Sequence, residues 1–185
     1  MKILLVNPTG SNEEEYGAMS KASTELPQLG LAAIAASLLN AGIEVRVIDM
    51  NIDKFGNESL LELIKTENYD IIGFSIYVTT LRRALLLSKL IKNECPEKTV
   101  IIGGPHITLY PDDGFSNDVD YIFLGEADYT VLNLVDHMKN GNGNPPQIPG
   151  VLYRDNGEFK GDNTTNLVKD LNELPAIDLD KMYDL

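Results

Sequence analysis

Two apolar runs, DIIGFS at residues 70–75 and TVIIGG at residues 99–104, decide the fold. Between them, residues 80–93 form a longer amphipathic segment, so the order predicted is strand, helix, strand. Neither run alternates apolar with polar residues, which is typical of strands whose sheet is covered on both faces. The stretch therefore predicts a β-α-β unit of a parallel sheet.

The same alternation continues on both sides of this unit. We predict further strands at residues 3–6, 44–48 and 121–124, and further helices at residues 28–40, 59–67 and 128–139. Asp128 could cap the last of these helices. The predicted fold class is α/β: a doubly wound, flavodoxin-like, five-stranded parallel sheet in the order 2-1-3-4-5, with helices on both faces.

The C-terminal part of the sequence has a different character. Residues 141–146, GNGNPP, have the composition of a linker. Asn156-Gly157 stands between two short strand-like runs and predicts a β-hairpin, because both residues accept positive φ angles. We expect an α/β domain over residues 1–140, and a linker, hairpin and tail over residues 141–185.

Composition excludes several classes of protein. The net charge of −13 disfavours binding to nucleic acid or to an anionic membrane. No apolar run approaches the roughly 18 residues that span a bilayer. Cys95 is the single cysteine, so several thiolates of this chain cannot hold a metal cluster or a structural zinc. Cysteine scarcity also fits a cytoplasmic location.

Ligands of open α/β sheets bind beyond the carboxyl ends of the strands. The candidate cofactor-binding residues are therefore those that follow each predicted strand. They are Asn7, Pro8 and Thr9 after the first strand, Asp49 after the second, Ser75, Tyr77, Val78, Thr79 and Thr80 after the third, Gly103, Gly104, Pro105 and His106 after the fourth, and Gly125 and Glu126 after the fifth. No residue is assigned a catalytic or metal-ligating role.

Each of these signals has a structural alternative. The glycine pair would allow a backbone to approach a ligand closely, or would simply make a tight turn before Pro105. Ser75 and Thr79 would bind a ligand or cap the following helix. His106 would ligate a metal or be solvated.

Common ligands of this fold class match the sequence poorly. No Gly-x-Gly-x-x-Gly and no Gly-Lys-Ser/Thr phosphate loop is present. Glu13, Glu14 and Glu15 follow the first strand, where they would repel the phosphate of a flavin nucleotide. A receiver domain would need acidic residues where Asn7 and Ser75 stand.

Several segments together, in their order and spacing, resemble the cobalamin-binding domain of radical S-adenosylmethionine enzymes. They are residues 3–8, 27–31, 101–108, 120–128, 148–157 and 170–175. The resemblance implies that cobalamin lies over the carboxyl edge of the sheet, with its nucleotide tail near residues 75–80 and Gly103-Gly104. Glu126 and residues 7–9 would flank the cofactor.

The resemblance also has implications for the parent protein. Residues 141–185 would lead into a radical barrel of the same chain, which would use S-adenosylmethionine and a [4Fe-4S] cluster, and the parent would be a methyltransferase or a related radical enzyme. The sequence lacks the three-cysteine cluster motif of that barrel, so this chain would bind the cofactor and leave catalysis to the missing part.

Cobalamin domains of the methionine synthase type carry the pattern Asp-x-His-x-x-Gly after the second strand, and its histidine ligates cobalt from below. Residues 49–56 of this sequence contain no histidine, and Asn51 stands at that position. A lower histidine ligand from this loop is therefore excluded. Two alternatives to a cobalamin-binding domain stay open. The chain could be a non-enzymatic regulatory or interaction module on a flavodoxin-like scaffold, or a domain that binds a flavin or another nucleotide.

Overall fold

The computed structural model describes residues 1–9, 28–50, 52–53, 55–140 and 146–181. Its described strands form one seven-stranded sheet in the order β2-β1-β3-β4-β5-β6-β7. The strands are β1 (Lys2–Asn7), β2 (Glu44–Asp49), β3 (Ile71–Ser75), β4 (Thr99–Gly103), β5 (Tyr121–Phe123), β6 (Val151–Asp155) and β7 (Glu158–Gly161).

The first five strands confirm the predicted topology. β2, β1, β3, β4 and β5 pair in parallel in the order 2-1-3-4-5. The predicted hairpin is present as well, and Asn156 and Gly157 both have positive φ at its turn. It is not a separate appendage, because β6 pairs antiparallel with β5 and continues the same sheet. The predicted linker and boundary at residues 140–141 fall largely on residues 141–145, outside the described residues.

Within the described residues, five helices connect the strands. They are α1 (Leu29–Asn40), α2 (Asn57–Glu67), α3 (Leu81–Glu94), α4 (Pro105–Leu109) and α5 (Thr130–Asn140). Short 3₁₀ turns occupy Pro111–Gly114, Leu171–Glu173 and Leu179–Lys181. None of the described helices is both long enough and apolar enough to cross a membrane.

The sheet separates two hydrophobic cores, which explains its unbroken apolar strands. In β1, Ile3 and Leu5 face the core formed with α1 and α5, while Leu4 and Val6 face the core formed with α2 and α3. Successive side chains of a strand point to opposite faces, so both sets must be apolar when helices cover both faces. The carboxyl ends of the parallel strands consequently form the edge at which a site can open.

We expect that the hairpin is integral to the stability of the domain. Val151 of β6 is fully buried in the core with α1 and α5, whereas Val78 is 71% exposed. Val151→Ala should lower the free energy of unfolding by roughly 1–2 kcal/mol, and the matched change Val78→Ala should have little effect. Urea denaturation measures both; equal effects would contradict this packing.

Candidate functional site

A cavity of about 640 Å³ opens at the carboxyl edge of the sheet, between α1 and α5. Leu5, Gly73, Ile101 and Phe123 lie on the strands beneath it. Its walls come from α1 on one side and, on the other, from the start of α5 and the residues just before it; the lining includes Leu31, Ile34, Ala127, Asp128 and Val131. The volume lies within the roughly 300–1,000 Å³ typical of small-molecule sites, which are likewise mostly apolar.

Gly73 leaves space in the strands beneath the cavity. It lies in the middle of β3, where a Cβ atom would come 2.9 Å from Leu5 Cδ2 and 3.1 Å from Ile101 Cγ1. Any side chain at this position would therefore have to displace the Leu5 and Ile101 side chains, which line the same cavity. Gly73 was not among the predicted cofactor-binding residues, although a glycine inside an apolar strand often marks close approach by a ligand or by another backbone segment.

Gly103 and Gly104 form part of the cavity wall and also make a tight backbone crossing. Gly104 has a φ of +102°, and a Cβ atom there would lie 2.6 Å from the backbone nitrogen of Ile76. Ile76 N–H donates to Gly103 O at 2.8 Å, and His106 N–H donates to Ile76 O at 3.1 Å. The glycine pair thus makes the tight turn before Pro105, and close approach to a ligand stays a prediction.

Thr108 links two elements of the cavity wall, and sequence analysis missed it. Its hydroxyl donates to Gly104 O at 3.0 Å and accepts from Gly125 N–H at 2.9 Å. The end of β5 is therefore fixed against α4 by a single side chain. A threonine in a short helix carries no signal of this role before the two elements are seen together.

The predicted residues after β3 separate into two groups. Ser75 and Tyr77 line the cavity. Thr80 is buried, and its hydroxyl accepts from Tyr77 N–H at 3.0 Å, which is a hydrogen bond within the turn before α3. Val78 and Thr79 are exposed and do not line the cavity.

The predicted residues after β1 and β2 interact with one another instead of lining the cavity. The buried Asp49 carboxylate accepts from Asn7 Nδ2 at 2.7 Å and from Thr9 Oγ1 at 3.2 Å. Pro8 is buried beside them. Asn51, where the sequence excludes a histidine ligand, and the acidic residues 13–15 lie outside the described residues.

His106 also lies outside the cavity lining, while Pro105 belongs to it. His106 Nε2 lies 2.8 Å from Asp113 Oδ2, and the imidazole stands 5.4 Å from the Tyr110 ring. These contacts hold the histidine against the short segment that follows α4. Among the described residues, no group of three or more potential ligands is placed to hold a metal ion.

Two acidic residues stand at the cavity wall after β5. Glu126 accepts a hydrogen bond from Val168 N–H through its carboxylate. Asp128 is only 7% exposed, and its Oδ1 has no hydrogen-bond partner within the described part of the chain. Burial raises the pKa of the Asp128 carboxyl above its usual range. A hydrogen bond from the residue's own backbone amide lowers this pKa, and the nearby negative charge of Glu126 raises it further. Asp128 lies in the turn before α5, which begins at Thr130.

Gly104→Ala should destabilise the domain more than Gly157→Ala. Both glycines have positive φ, but a Cβ atom at Gly157 meets nothing within 4 Å, whereas one at Gly104 meets the backbone of Ile76. We expect a loss of about 1 kcal/mol at Gly157 from backbone strain and roughly 2 kcal/mol or more at Gly104. Thermal and urea unfolding compare the two variants; similar losses would exclude the close crossing.

Asp128→Asn should stabilise the domain in a pH-dependent way. Because the folded state raises the pKa of Asp128, it favours the protonated acid, and ionisation costs stability once the pH exceeds the pKa in the unfolded chain. The gain from the variant should therefore grow from about pH 3 to about pH 7. Asp136→Asn, at an exposed position of α5, is the control. A gain that does not change with pH would argue against a buried acid.

Comparisons with known proteins identify the family of the chain. The model of the B12 binding domain family matches residues 17–135, which is more than half of the chain. An uncharacterized methyltransferase of Pyrococcus horikoshii is 29% identical over 190 residues, covering 100% of this chain and 39% of that protein. The cobalamin-dependent radical SAM methyltransferase TokK of Streptomyces tokunonensis is 30% identical over 87 residues, covering 46% of this chain and 13% of TokK.

The fold is also known from a solved structure. The cobalamin-dependent S-adenosylmethionine radical enzyme OxsB, with aqua-cobalamin bound, superposes with a TM-score of 0.78 at 21% identity. The match covers 97% of this chain and 24% of OxsB, so the chain spans well under half the length of the proteins it matches. The resemblance inferred from sequence is confirmed: the chain belongs to the B12-binding domain family.

Proposed function

We propose that this chain binds a cobalamin at the carboxyl edge of the sheet and presents it to a radical S-adenosylmethionine domain of the same parent protein. The observation that carries the proposal is the apolar cavity between α1 and α5, with Gly73 beneath it and Gly103 and Gly104 at its wall. Membership of the B12-binding domain family supports the identity of the ligand.

The residues present suit the two parts of such a cofactor. The apolar walls of the cavity, together with Gly73 on its floor, suit an aromatic base, so the nucleotide tail would enter the cavity. Tyr77 and Leu109 line the same cavity and are 41% and 73% exposed. They offer apolar surface at the mouth, over which the flat corrin ring would lie.

No histidine of the chain is placed at this cavity. His106 is held against Asp113, and His137 on α5 does not line the cavity either. We therefore propose that the protein binds and orients the cofactor through apolar contacts and backbone groups, without a histidine on its lower face. Once bound, cobalamin would supply the methyl-transfer chemistry of cobalt.

The activity of the parent protein is a further part of the proposal. The names of the relatives support a methyltransferase. Cys95 alone cannot hold a [4Fe-4S] cluster, so the cluster and the S-adenosylmethionine site would belong to a barrel that follows this chain. We place the protein in the cytoplasm, where a reducing environment suits such a cluster, and propose neither nucleic acid nor a membrane as a partner.

Retention of hydroxocobalamin tests this proposal. The chain is mixed with hydroxocobalamin under anaerobic conditions and gel-filtered, and the corrin absorbance of the protein fraction is recorded. We expect stoichiometric retention and a higher melting temperature, because a ligand at 100-fold its Kd stabilises the folded state by about 2.7 kcal/mol. A flavin nucleotide and ATP serve as comparison ligands. A protein fraction without corrin absorbance would overturn the proposal, and stabilisation by one of the comparison ligands would then favour that class of ligand.

Gly73→Ala should weaken cobalamin binding roughly tenfold, because its methyl group would push the Leu5 and Ile101 side chains, which line the same cavity, toward the ligand. The change should leave the fold intact, since the atoms it meets are the ends of the Leu5 and Ile101 side chains. Gly56→Ala is the matched control, because nothing lies within 4 Å of a Cβ there and Gly56 is outside the cavity lining. Equal affinities of the two variants, measured by absorbance titration, would place the ligand elsewhere.

A further inference from the structure

One wall residue of the cavity comes from an unexpected part of the chain. Leu174 lines the cavity together with residues of α1, β3 and β4, although it lies far beyond the last strand, β7. The tail must therefore return across the end of β5 to reach the site. Three sets of contacts, two between the tail and the α/β domain and one within the tail, accomplish this return.

The first set is made by the backbone of Asn166 at the end of β5. Asn166 N–H donates to Leu124 O at 3.0 Å, and Glu126 N–H donates to Asn166 O at 2.8 Å, so the tail makes a parallel bridge opposite Gly125. Gly125 has a φ of +88°, and a Cβ atom there would lie only 1.9 Å from Asn166 O. Glycine is thus required at position 125 for the tail to pass this closely.

The second set is made by side chains of the tail and the cavity wall. Asn166 Nδ2 donates to Thr130 Oγ1 at 2.8 Å and to Glu126 O at 3.3 Å. The Glu126 carboxylate accepts from Val168 N–H. The tail is therefore joined to the beginning of α5 and to the end of β5, immediately beside the residues that line the cavity.

The third set is a turn that returns the chain to the cavity. Asp170 Oδ1 accepts from Asn172 N–H at 2.9 Å and from Asn172 Nδ2 at 2.8 Å, and the 3₁₀ turn Leu171–Glu173 follows. Leu174 N–H donates to Leu171 O at 3.3 Å at its end. The two leucines then differ in surroundings, since Leu171 is 66% exposed and Leu174 lines the cavity.

We propose that residues 166–174 form a strap that completes the cofactor site, with Leu174 in contact with the bound cofactor and with Glu126 and Asn166 as positioning residues. This inference rests on the proposed function, because it takes the ligand of the cavity to be cobalamin. It assigns the segment after the hairpin to the binding site and not only to the connection with a following domain.

A consequence is that cofactor and strap stabilise each other. Binding that is stronger when the strap is in place must, by thermodynamic reciprocity, also favour the placed strap. The placement of Leu174 at the cavity would then be more stable when the cofactor is bound, while Leu179, further along the chain, packs against the core formed with α1 and α5.

The pair Leu174→Ala and Leu171→Ala tests the contact. Both remove the same atoms from neighbouring positions of one turn, but only Leu174 lines the cavity. We expect Leu174→Ala to weaken hydroxocobalamin binding roughly tenfold, and Leu171→Ala, whose side chain faces solvent, to bind like the original chain. Absorbance titration gives both affinities.

Hydrogen exchange and a conservative variant test the positioning role. Cobalamin should slow exchange of the amides of Asn166, Val168 and Glu126, while amides within α3, on the other face of the sheet, should not change. Glu126→Gln keeps an acceptor oxygen for Val168 N–H, so it should bind cobalamin more tightly than Glu126→Ala.

The outcomes separate the two proposals. If the original chain binds no hydroxocobalamin, the proposed function fails and the strap fails with it. If the original chain binds, but the two leucine variants have equal affinities and the strap amides gain no protection, only the strap is overturned.

Discussion

The close contact between Gly104 and Ile76 is the constraint on which the site depends. The backbones after β3 and β4 meet there at a distance that admits no side chain, since a Cβ atom on Gly104 would lie within 3 Å of both the nitrogen and the oxygen of Ile76. Hydrogen bonds on both sides of this contact join Ile76 to Gly103 and His106. They fix where α4 begins, and Thr108 of α4 in turn holds the end of β5.

From this contact the cavity follows in a few steps. Backbone hydrogen bonds of Ile76 and the hydroxyl of Thr108 hold the ends of β3, β4 and β5 in place. No large side chain is therefore needed at this edge of the sheet to hold the strands together. Gly73 contributes no side chain on the face toward α1 and α5, and apolar residues of both helices line the cavity above it. The tail then returns across Gly125, a second position at which glycine allows close backbone approach. A site built largely of backbone and apolar surface suits a large, rigid cofactor that carries its own chemistry.

Sequence alone was sufficient for the order of the five parallel strands and for the edge at which the cavity opens. Unbroken apolar strands alternating with helices predict a parallel sheet, and ligands of such sheets bind at the carboxyl ends. Ser75, Tyr77, Gly103, Gly104, Pro105, Gly125 and Glu126 were predicted in this way, and all line the cavity. Residues such as Asn7, Asp49 and His106 were predicted by the same rule but find partners close by, because the rule selects an edge and not the direction of a side chain.

The residues that sequence analysis missed depend on contacts between distant parts of the chain. Gly73 matters because of its neighbours Leu5 and Ile101, and Leu174 because the strap returns it to the cavity. The extension of the sheet by β6 and β7 is of the same kind, since a hairpin signal does not say which edge the hairpin joins. Such relations exist only in three dimensions, and local patterns do not encode them.

The most direct measurement of the central claim is a crystal structure of the chain grown with hydroxocobalamin. We predict that the nucleotide tail lies in the cavity between α1 and α5, with its base over Gly73 and in contact with Leu174. The corrin ring should cover Tyr77 and Leu109. Density for the corrin at any other surface, with the cavity between α1 and α5 unoccupied, would contradict it.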